Sequence, residues 1–116
     1  MTDILELAKR VEAHTGGDDW ALRVEIARAL GWTKKQVGGV VAWYSPDQPD
    51  IMKAGPPKWL TSLDAAMTLV PEGFYWNIKH YRHDINTADI GGIYEAKAST
   101  PALALTAAAL RAGETE

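Results

Sequence analysis

The spacing of apolar residues at the start of the chain predicts two helices. Apolar side chains recur every three or four positions over residues 4–11 and again over residues 20–30, as on a helix that buries one face. Asp3 with Glu6 is typical of a capping box at the first of these helices. Glycines follow both segments and favour an end to each helix. The sequence therefore predicts an N-terminal αα-hairpin over residues 2–31.

Two further helices are predicted in the middle and at the end of the chain. Ser62 is a good N-cap residue, and Pro71 forbids continuation of a helix that begins there. Thr100 and Pro101 have the residue types preferred at the cap and the first position of a helix, which we expect to run to residue 112. The predicted inward face of the central helix consists of Leu63, Ala66, Met67 and Val70.

Alternation of apolar and polar residues predicts strands between and after these helices. Residues 74–82 alternate clearly, and residues 93–98 form a second strand-like segment after two glycines. We expect these segments to pair as an antiparallel hairpin, with residues 84–89 as a turn or loop. Several prolines between residues 46 and 57 predict a long loop, with a short edge strand at 51–53.

Residues 32–44 allow two interpretations. As a strand they contain a bend at residues 38–39, because two glycines inside a helix would cost about 1 kcal/mol each. As a helix they would complete a helix-turn-helix over residues 23–42, with two lysines and a glutamine at 34–36 to contact DNA. The glycines favour the strand, and the DNA-binding helix is the alternative.

The order of these elements predicts an α+β fold. We expect the N-terminal αα-hairpin and a small, mainly antiparallel sheet to pack with a central helix and a C-terminal helix. Residues 1–112 should form one domain, with the helical hairpin at 2–31 and the sheet with its two helices at 32–112. A short polar tail follows at 113–116.

The composition and net charge of the chain argue against several classes of function. The chain of 116 residues is 47% hydrophobic, which supports a core and argues against disorder. It contains no cysteine, so disulfides and thiolate metal sites are excluded. A net charge of −3 disfavours a nucleic-acid partner, which needs a basic surface. No long apolar run indicates a membrane span or a signal peptide, so we expect no membrane partner.

Four stretches of the sequence carry a resemblance to a known group of proteins. They are Leu30-Gly31-Trp32, Trp43-Tyr44-Ser45-Pro46-Asp47, Ser62 to Gly73 and Thr100 to Arg111. With them the chain resembles small uncharacterised proteins carried by phages and prophages of proteobacteria, whose fold is described as a phage α–β–α sandwich. Residues 34–39 depart from that pattern. The resemblance implies a mobile-element accessory protein in the cytoplasm of the host cell, and it implies no activity and no catalytic residue.

The sequence predicts neither catalysis nor a metal or other cofactor. His80 and His83 are three apart in a predicted strand, so their side chains point to opposite faces and do not readily share a metal ion. No spacing of Ser, His and Asp suggests a catalytic triad, and no phosphate-binding glycine motif is present. We therefore expect a protein that is not an enzyme.

Aromatic and basic residues suggest a binding surface near the proline-rich segment and along residues 74–82, where we expect Lys79 and Tyr81 on the face that points away from the core. Aromatic rings stack on nucleobases, while lysine and arginine pair with phosphates. The candidate ligand-binding residues are Trp43, Tyr44, Trp59, Tyr75, Lys79, Tyr81 and Arg82. The alternative for these side chains is core packing or contact between protomers.

These features lead to a hypothesis of function by binding. On this hypothesis a phage or prophage accessory protein sequesters a small nucleotide-type signal of host antiviral defence, at a site shared between the protomers of a homo-oligomer. One alternative is a protein-interaction module that inhibits or tunes a host protein. The other alternative is the helix-turn-helix DNA-binding regulator.

Overall fold

The chain forms four helices and two three-stranded antiparallel sheets over residues 4–15, 17–82 and 85–114, the part that the computed structural model describes. The helices are α1 (Ile4–Ala13), α2 (Trp20–Ala29), α3 (Leu63–Met67) and α4 (Pro101–Glu114). Sheet A contains β1 (Thr33–Val37), β2 (Val40–Ser45) and β3 (Gln48–Lys53). Sheet B contains β4 (Trp76–Arg82), β5 (Ile85–Ile90) and β6 (Tyr94–Ala98). The predicted α+β fold class is confirmed, with its strands divided between two sheets.

Helix α4 is the centre of the core. Residues 102–110 are all buried, because sheet B, α1 and α3 pack against different sides of this helix. The Thr100 hydroxyl accepts a hydrogen bond from the Leu103 N–H at 3.2 Å, which confirms the predicted cap. The helix continues to Glu114, past the end that we expected at residue 112.

The two N-terminal helices form as predicted and contact each other. The apolar face of α1 is buried against α4. The Asp19 carboxylate caps α2 by accepting a hydrogen bond from the Leu22 N–H at 3.1 Å. Gly31 follows α2 with a φ of 93°, as expected for the glycine that ends a helix. The predicted capping role of Asp3 lies outside the described residues.

The central helix is shorter than predicted and buries less of its apolar face. Ser62 caps it, with its hydroxyl 3.2 Å from the Ala65 nitrogen, but α3 ends at Met67. The Thr68 N–H and hydroxyl both bind the Ala65 carbonyl, so the chain tightens here instead of continuing as a helix. Only Ala66 of α3 is buried, and the expectation that Leu63 and Met67 face the core is wrong.

Sheet B differs from the predicted hairpin, because the segment expected as a loop contains its central strand. Strand β5 pairs with β4 on one side and with β6 on the other. The inward position of Asn86 disguises this strand, since a polar residue there breaks the apolar alternation. Its amide donates to the Ser99 carbonyl at 3.1 Å, and its Oδ1 lies 2.8 Å from His80 Nδ1. Residues 83 and 84 lie outside the described residues, as does the predicted relation of His80 to His83.

Sheet A settles the two interpretations of residues 32–44. The segment forms two strands, β1 and β2, and the helix-turn-helix interpretation is wrong because no helix follows α2 there. Gly38 and Gly39 form the turn with φ values of 58° and 84°, which side chains with a Cβ rarely adopt. The strand interpretation is confirmed, although as a hairpin rather than one bent strand. The predicted short edge strand is part of β3.

One tryptophan pair joins sheet A to α2, and a second joins the segment just before β1 to the segment that precedes α3. The ring of Trp43 meets that of Trp20 edge-on at 6.2 Å between centroids, and Trp32 meets Trp59 in the same way at 6.0 Å. Such pairs stabilise by about 0.5–1.5 kcal/mol beyond their buried area. The buried Arg23 of α2 also binds the Pro56 and Pro57 carbonyls. These contacts hold the end of sheet A that is near the helices, and the other end, at the turn of residues 38–39, is exposed to solvent.

Candidate functional site

The outer face of sheet B, which points away from α4, carries two rows of polar side chains. The first row is Asn77, Asp89 and Glu95, and the second is Lys79, Thr87 and Lys97. Neighbours within a row stand on strands about 5 Å apart, and the rows are about 7 Å apart along the strands. With Tyr81 and Ile85 these side chains line a shallow depression of about 570 Å³. Small-molecule sites have volumes of about 300–1,000 Å³.

Thr87 is buried between two lysines. It is 8% exposed although it lies on the outer face, and its hydroxyl has no hydrogen-bond partner among the described residues. Lys79 and Lys97 are exposed, and neither forms an ion pair within the described part of the chain. Two lysines with no ion pair among the described residues thus flank a hydroxyl that has no partner there, and these donors match an anion with several acceptor oxygens, such as a phosphate.

The other row places two carboxylates against each other. Asp89 and Glu95 are directly opposed across β5 and β6, an arrangement that destabilises a sheet when both are charged. No described cation pairs with either of them. Asp89 accepts one hydrogen bond, from the Gly92 N–H at 3.3 Å. The carboxylates can therefore accept hydrogen bonds from hydroxyl or amino groups of a ligand whose anion lies on the lysine row.

The predicted binding residues do not form a single site. Lys79 and Tyr81 line the outer face of sheet B, on the side of β4 that we predicted. Tyr75 is exposed just before β4, with its hydroxyl beside Gly92, and does not line the depression. Arg82 lies in β4, and its side chain is outside the described residues.

The three predicted residues near the proline-rich segment lie elsewhere. Trp43 and Trp59 are 2% and 1% exposed, and each packs edge-on against another tryptophan. Rings with so little exposed surface cannot stack on a nucleobase, so the predicted stacking role of these two residues is wrong. Tyr44 is half-buried in β2, and the ammonium of Lys35 lies 5.6 Å from the centre of its ring.

Four polar residues of the site on β5 and β6 were not predicted, because β5 resembles a loop and because the position of β6 in the sheet depends on β5. They are Thr87, Asp89, Glu95 and Lys97. The signal that could have found them is the glycine pair at 91–92, whose φ values are 63° and 72°. Paired glycines between apolar residues are a hairpin signal, and the pair at 38–39 marks the hairpin of sheet A in the same way. A hairpin at 91–92 requires a strand over 85–90.

A second depression, of about 470 Å³, contains one of the predicted residues. It lies between the turn from β2 to β3 and the residues after α3, and Trp32 and Trp59 form part of its wall. Its lysine, Lys53, already donates to Ser45 Oγ at 3.1 Å and to Gln48 Oε1 at 3.0 Å. Because this charge is engaged, the outer face of sheet B is the better candidate for an anionic ligand.

Comparisons of the chain with family models, with curated proteins and with solved structures gave no match. The resemblance to phage-borne proteins therefore stays a prediction. Among the described residues, no group of three His, Asp or Glu side chains is placed to hold a metal ion. None of the helices described has the length and apolar character needed to cross a membrane.

Proposed function

We propose that the chain is a non-enzymatic binding protein that holds a small nucleotide-type ligand on the outer face of sheet B. The observation that carries this proposal is the row Lys79–Thr87–Lys97, in which two lysines flank a buried hydroxyl and none of the three side chains has a partner in the described part of the chain. A phosphate can accept hydrogen bonds from both ammonium groups and from the hydroxyl. Exposed lysine side chains change rotamer within nanoseconds, so they can uncover the hydroxyl as the anion arrives.

The remainder of the outer face suits the other parts of a nucleotide. Tyr81 presents an exposed ring, and stacking of one base on an aromatic side chain contributes about 1–3 kcal/mol. On the other side of the lysine row, Asp89 and Glu95 accept hydrogen bonds from ribose hydroxyls or base amino groups. Since the lysines lie between the tyrosine and the carboxylates, a phosphate with a nucleoside on each side fits this order best.

The biological role that we propose is sequestration of a small nucleotide signal of host antiviral defence. Its support is the resemblance of the sequence to phage-borne proteins together with the order of groups on the outer face. The ligand in this proposal is a cyclic or linear dinucleotide held by shape and charge, with no bond made or broken. The site shared between protomers of a homo-oligomer is part of the same proposal, because the depression on one protomer is shallow and leaves one side of a ligand uncovered.

Isothermal titration calorimetry with cyclic dinucleotides, linear dinucleotides and mononucleotides tests the proposal. We expect a dinucleotide to bind the wild-type chain, and Lys79→Ala and Lys97→Ala each to weaken binding about tenfold or more, since a charge-assisted hydrogen bond contributes about 1.5–3 kcal/mol. Lys9→Ala is the control, because Lys9 is exposed on α1. No binding across the panel, or equal losses in all three variants, would contradict the proposal.

A further inference from the structure

The free edge of sheet A is a feature that nucleotide binding does not use. Among the strands that the structure describes, β1 pairs with β2 alone, so it is an edge strand, and all of its residues are exposed. Val37 and Val40 flank the two-residue turn and form the first hydrogen-bonded pair of the hairpin. Hydrogen-bonded and non-hydrogen-bonded pairs then alternate along the antiparallel ladder, and Lys34 and Gln36 belong to non-hydrogen-bonded pairs. The backbone groups of Lys34 and Gln36 therefore point away from β2. Such a row of unpaired N–H and C=O groups is able to pair with another strand.

The opposite edge of sheet A is protected against pairing. Strand β3 contains Pro49, which has no N–H to donate. Its register with β2 also shifts between Trp43 and Ser45, and such irregularities interrupt an edge. The pairing of β1 with β2 is continuous from Thr33 to Val37. Of the two edges, β1 is therefore the one that can accept a further strand.

Positive charge is concentrated on β1, although the whole chain has a net charge of −3. Lys34 and Lys35 project from opposite faces of the strand and form no ion pair within the described residues. The Lys34 ammonium lies 5.8 Å from the centre of the Trp43 ring. On the other face of the sheet, the Lys35 ammonium lies over the ring of Tyr44 in the same way. Both charges are thus held beside the edge, one on each side of the sheet.

Exposed valines adjoin these lysines at the far end of the hairpin. Val37 and Val40 lie on one face and Val41 lies on the other, and Val40 is 62% exposed. An apolar residue of an added strand can pack against Val37 at the position directly opposite. The edge therefore offers backbone hydrogen bonds, two positive charges and an apolar contact within five consecutive residues.

We propose that β1 binds an extended acidic segment of a partner protein, which adds to sheet A as a fourth strand. In the antiparallel orientation, the segment places acidic residues opposite Lys35 and Lys34 and an apolar residue opposite Val37. A second copy of β1 is a poor occupant, because pairing the two edges about their centre places lysine opposite lysine. The segment recognises the edge through main-chain hydrogen bonds and gains specificity from the side chains on both faces. This interface shares no residue with the outer face of sheet B.

The first experiment compares three extended peptides that differ only in charge. The acidic peptide has the consecutive residues Thr, Val, Thr, Glu, Glu, Thr, and the other two have Gln-Gln or Lys-Lys in place of Glu-Glu. Amide NMR titrations of the wild-type chain report both affinity and location. We expect the acidic peptide to bind at least tenfold more tightly than the Gln peptide, with shifts centred on Lys34 and Gln36. Equal affinity for the three peptides, or shifts centred on sheet B, would overturn the proposal.

Two variants of β1 separate strand addition from simple charge attraction. The double variant Lys34→Glu with Lys35→Glu should reverse the preference, so that the Lys-Lys peptide becomes the tightest of the three. Gln36→Pro removes an outward N–H that β2 does not use, so it should abolish binding of the acidic peptide while the circular dichroism spectrum is kept. Undiminished binding by Gln36→Pro would contradict strand addition. A wild-type dimer that Gln36→Pro dissociates would assign the edge to a second copy and overturn the acidic partner.

Discussion

Lys97 lies directly opposite Thr87 across the β5–β6 pair, beside a hydroxyl that is buried and has no hydrogen-bond partner in the described part of the chain. Lys79 holds the equivalent position on β4. A hydroxyl of this kind lowers the stability of the free protein by about 1–3 kcal/mol relative to a paired one. A ligand that brings an acceptor between the lysines relieves this cost, so stability and binding are linked at one side chain.

Replacement of Thr87 by valine should separate the two effects. Thr87→Val keeps the shape of the side chain and removes the unpaired hydroxyl, so we expect the free energy of unfolding to rise by about 1 kcal/mol. The same change removes a donor to the phosphate and should weaken dinucleotide binding about five- to tenfold. Urea unfolding and calorimetry measure the two quantities on the same sample.

Thr87→Ser is the matched control for this prediction. It keeps the hydroxyl and loses one methyl group, so stability should fall by about 1 kcal/mol while binding stays near the wild-type level. A valine variant that is less stable than the wild-type chain, or a serine variant that binds as weakly as the valine variant, would show that the hydroxyl does not have the role assigned to it.

The two glycine turns should respond differently to alanine. Gly38 and Gly91 have similar positive φ values of 58° and 63°, so alanine costs about 1–2 kcal/mol of backbone strain at either position. A Cβ on Gly91 would also lie 2.8 Å from Phe74 Cδ1, whereas no atom of the described residues lies within 4 Å of one on Gly38. Gly91→Ala should therefore lower the free energy of unfolding by about 1–3 kcal/mol more than Gly38→Ala. Equal urea-unfolding midpoints for the two variants would contradict the close contact between Gly91 and Phe74.

Asn86 should be necessary for the stability of sheet B. Its side chain binds the Ser99 carbonyl and His80 on the buried side of β5. Asn86→Ala removes both hydrogen bonds and leaves a cavity at a buried position, and we expect the free energy of unfolding to fall by about 1–3 kcal/mol. Asn77→Ala is the control, because Asn77 is exposed on the outer face and surface changes of this kind stay within about 0.5 kcal/mol. A similar loss in both variants would contradict the buried role of Asn86.

The helices could be predicted from the sequence, because capping residues and apolar spacing act locally. Ser62, Thr100 and Gly31 all have their predicted roles at helix ends. The length of α3 was not predicted, because apolar spacing does not reveal that the Thr68 N–H and hydroxyl both bind the Ala65 carbonyl. Local signals therefore identified where helices begin, while tertiary packing determined how much of each apolar face is buried.

Only two of the eight residues that line the candidate site were predicted, because these residues come from three strands. Lys79 and Tyr81 belong to a strand with clear alternation and were assigned to the exposed face. Thr87 and its neighbours belong to β5, whose inward Asn86 is compensated by partners that only the fold brings together. Trp43 and Trp59 were predicted to bind a ligand but are buried, because aromatic side chains that could stack on a nucleobase can equally form the core.

The most direct test of the nucleotide site is an amide NMR titration of the wild-type chain with a cyclic dinucleotide. We expect saturable shifts that are largest at Lys79, Thr87 and Lys97, and we expect Lys79→Ala with Lys97→Ala to remove them. Lys9→Ala should leave them unchanged. Shifts absent from sheet B, or retained in the double variant, would contradict the assignment of the outer face of sheet B as a phosphate-binding surface.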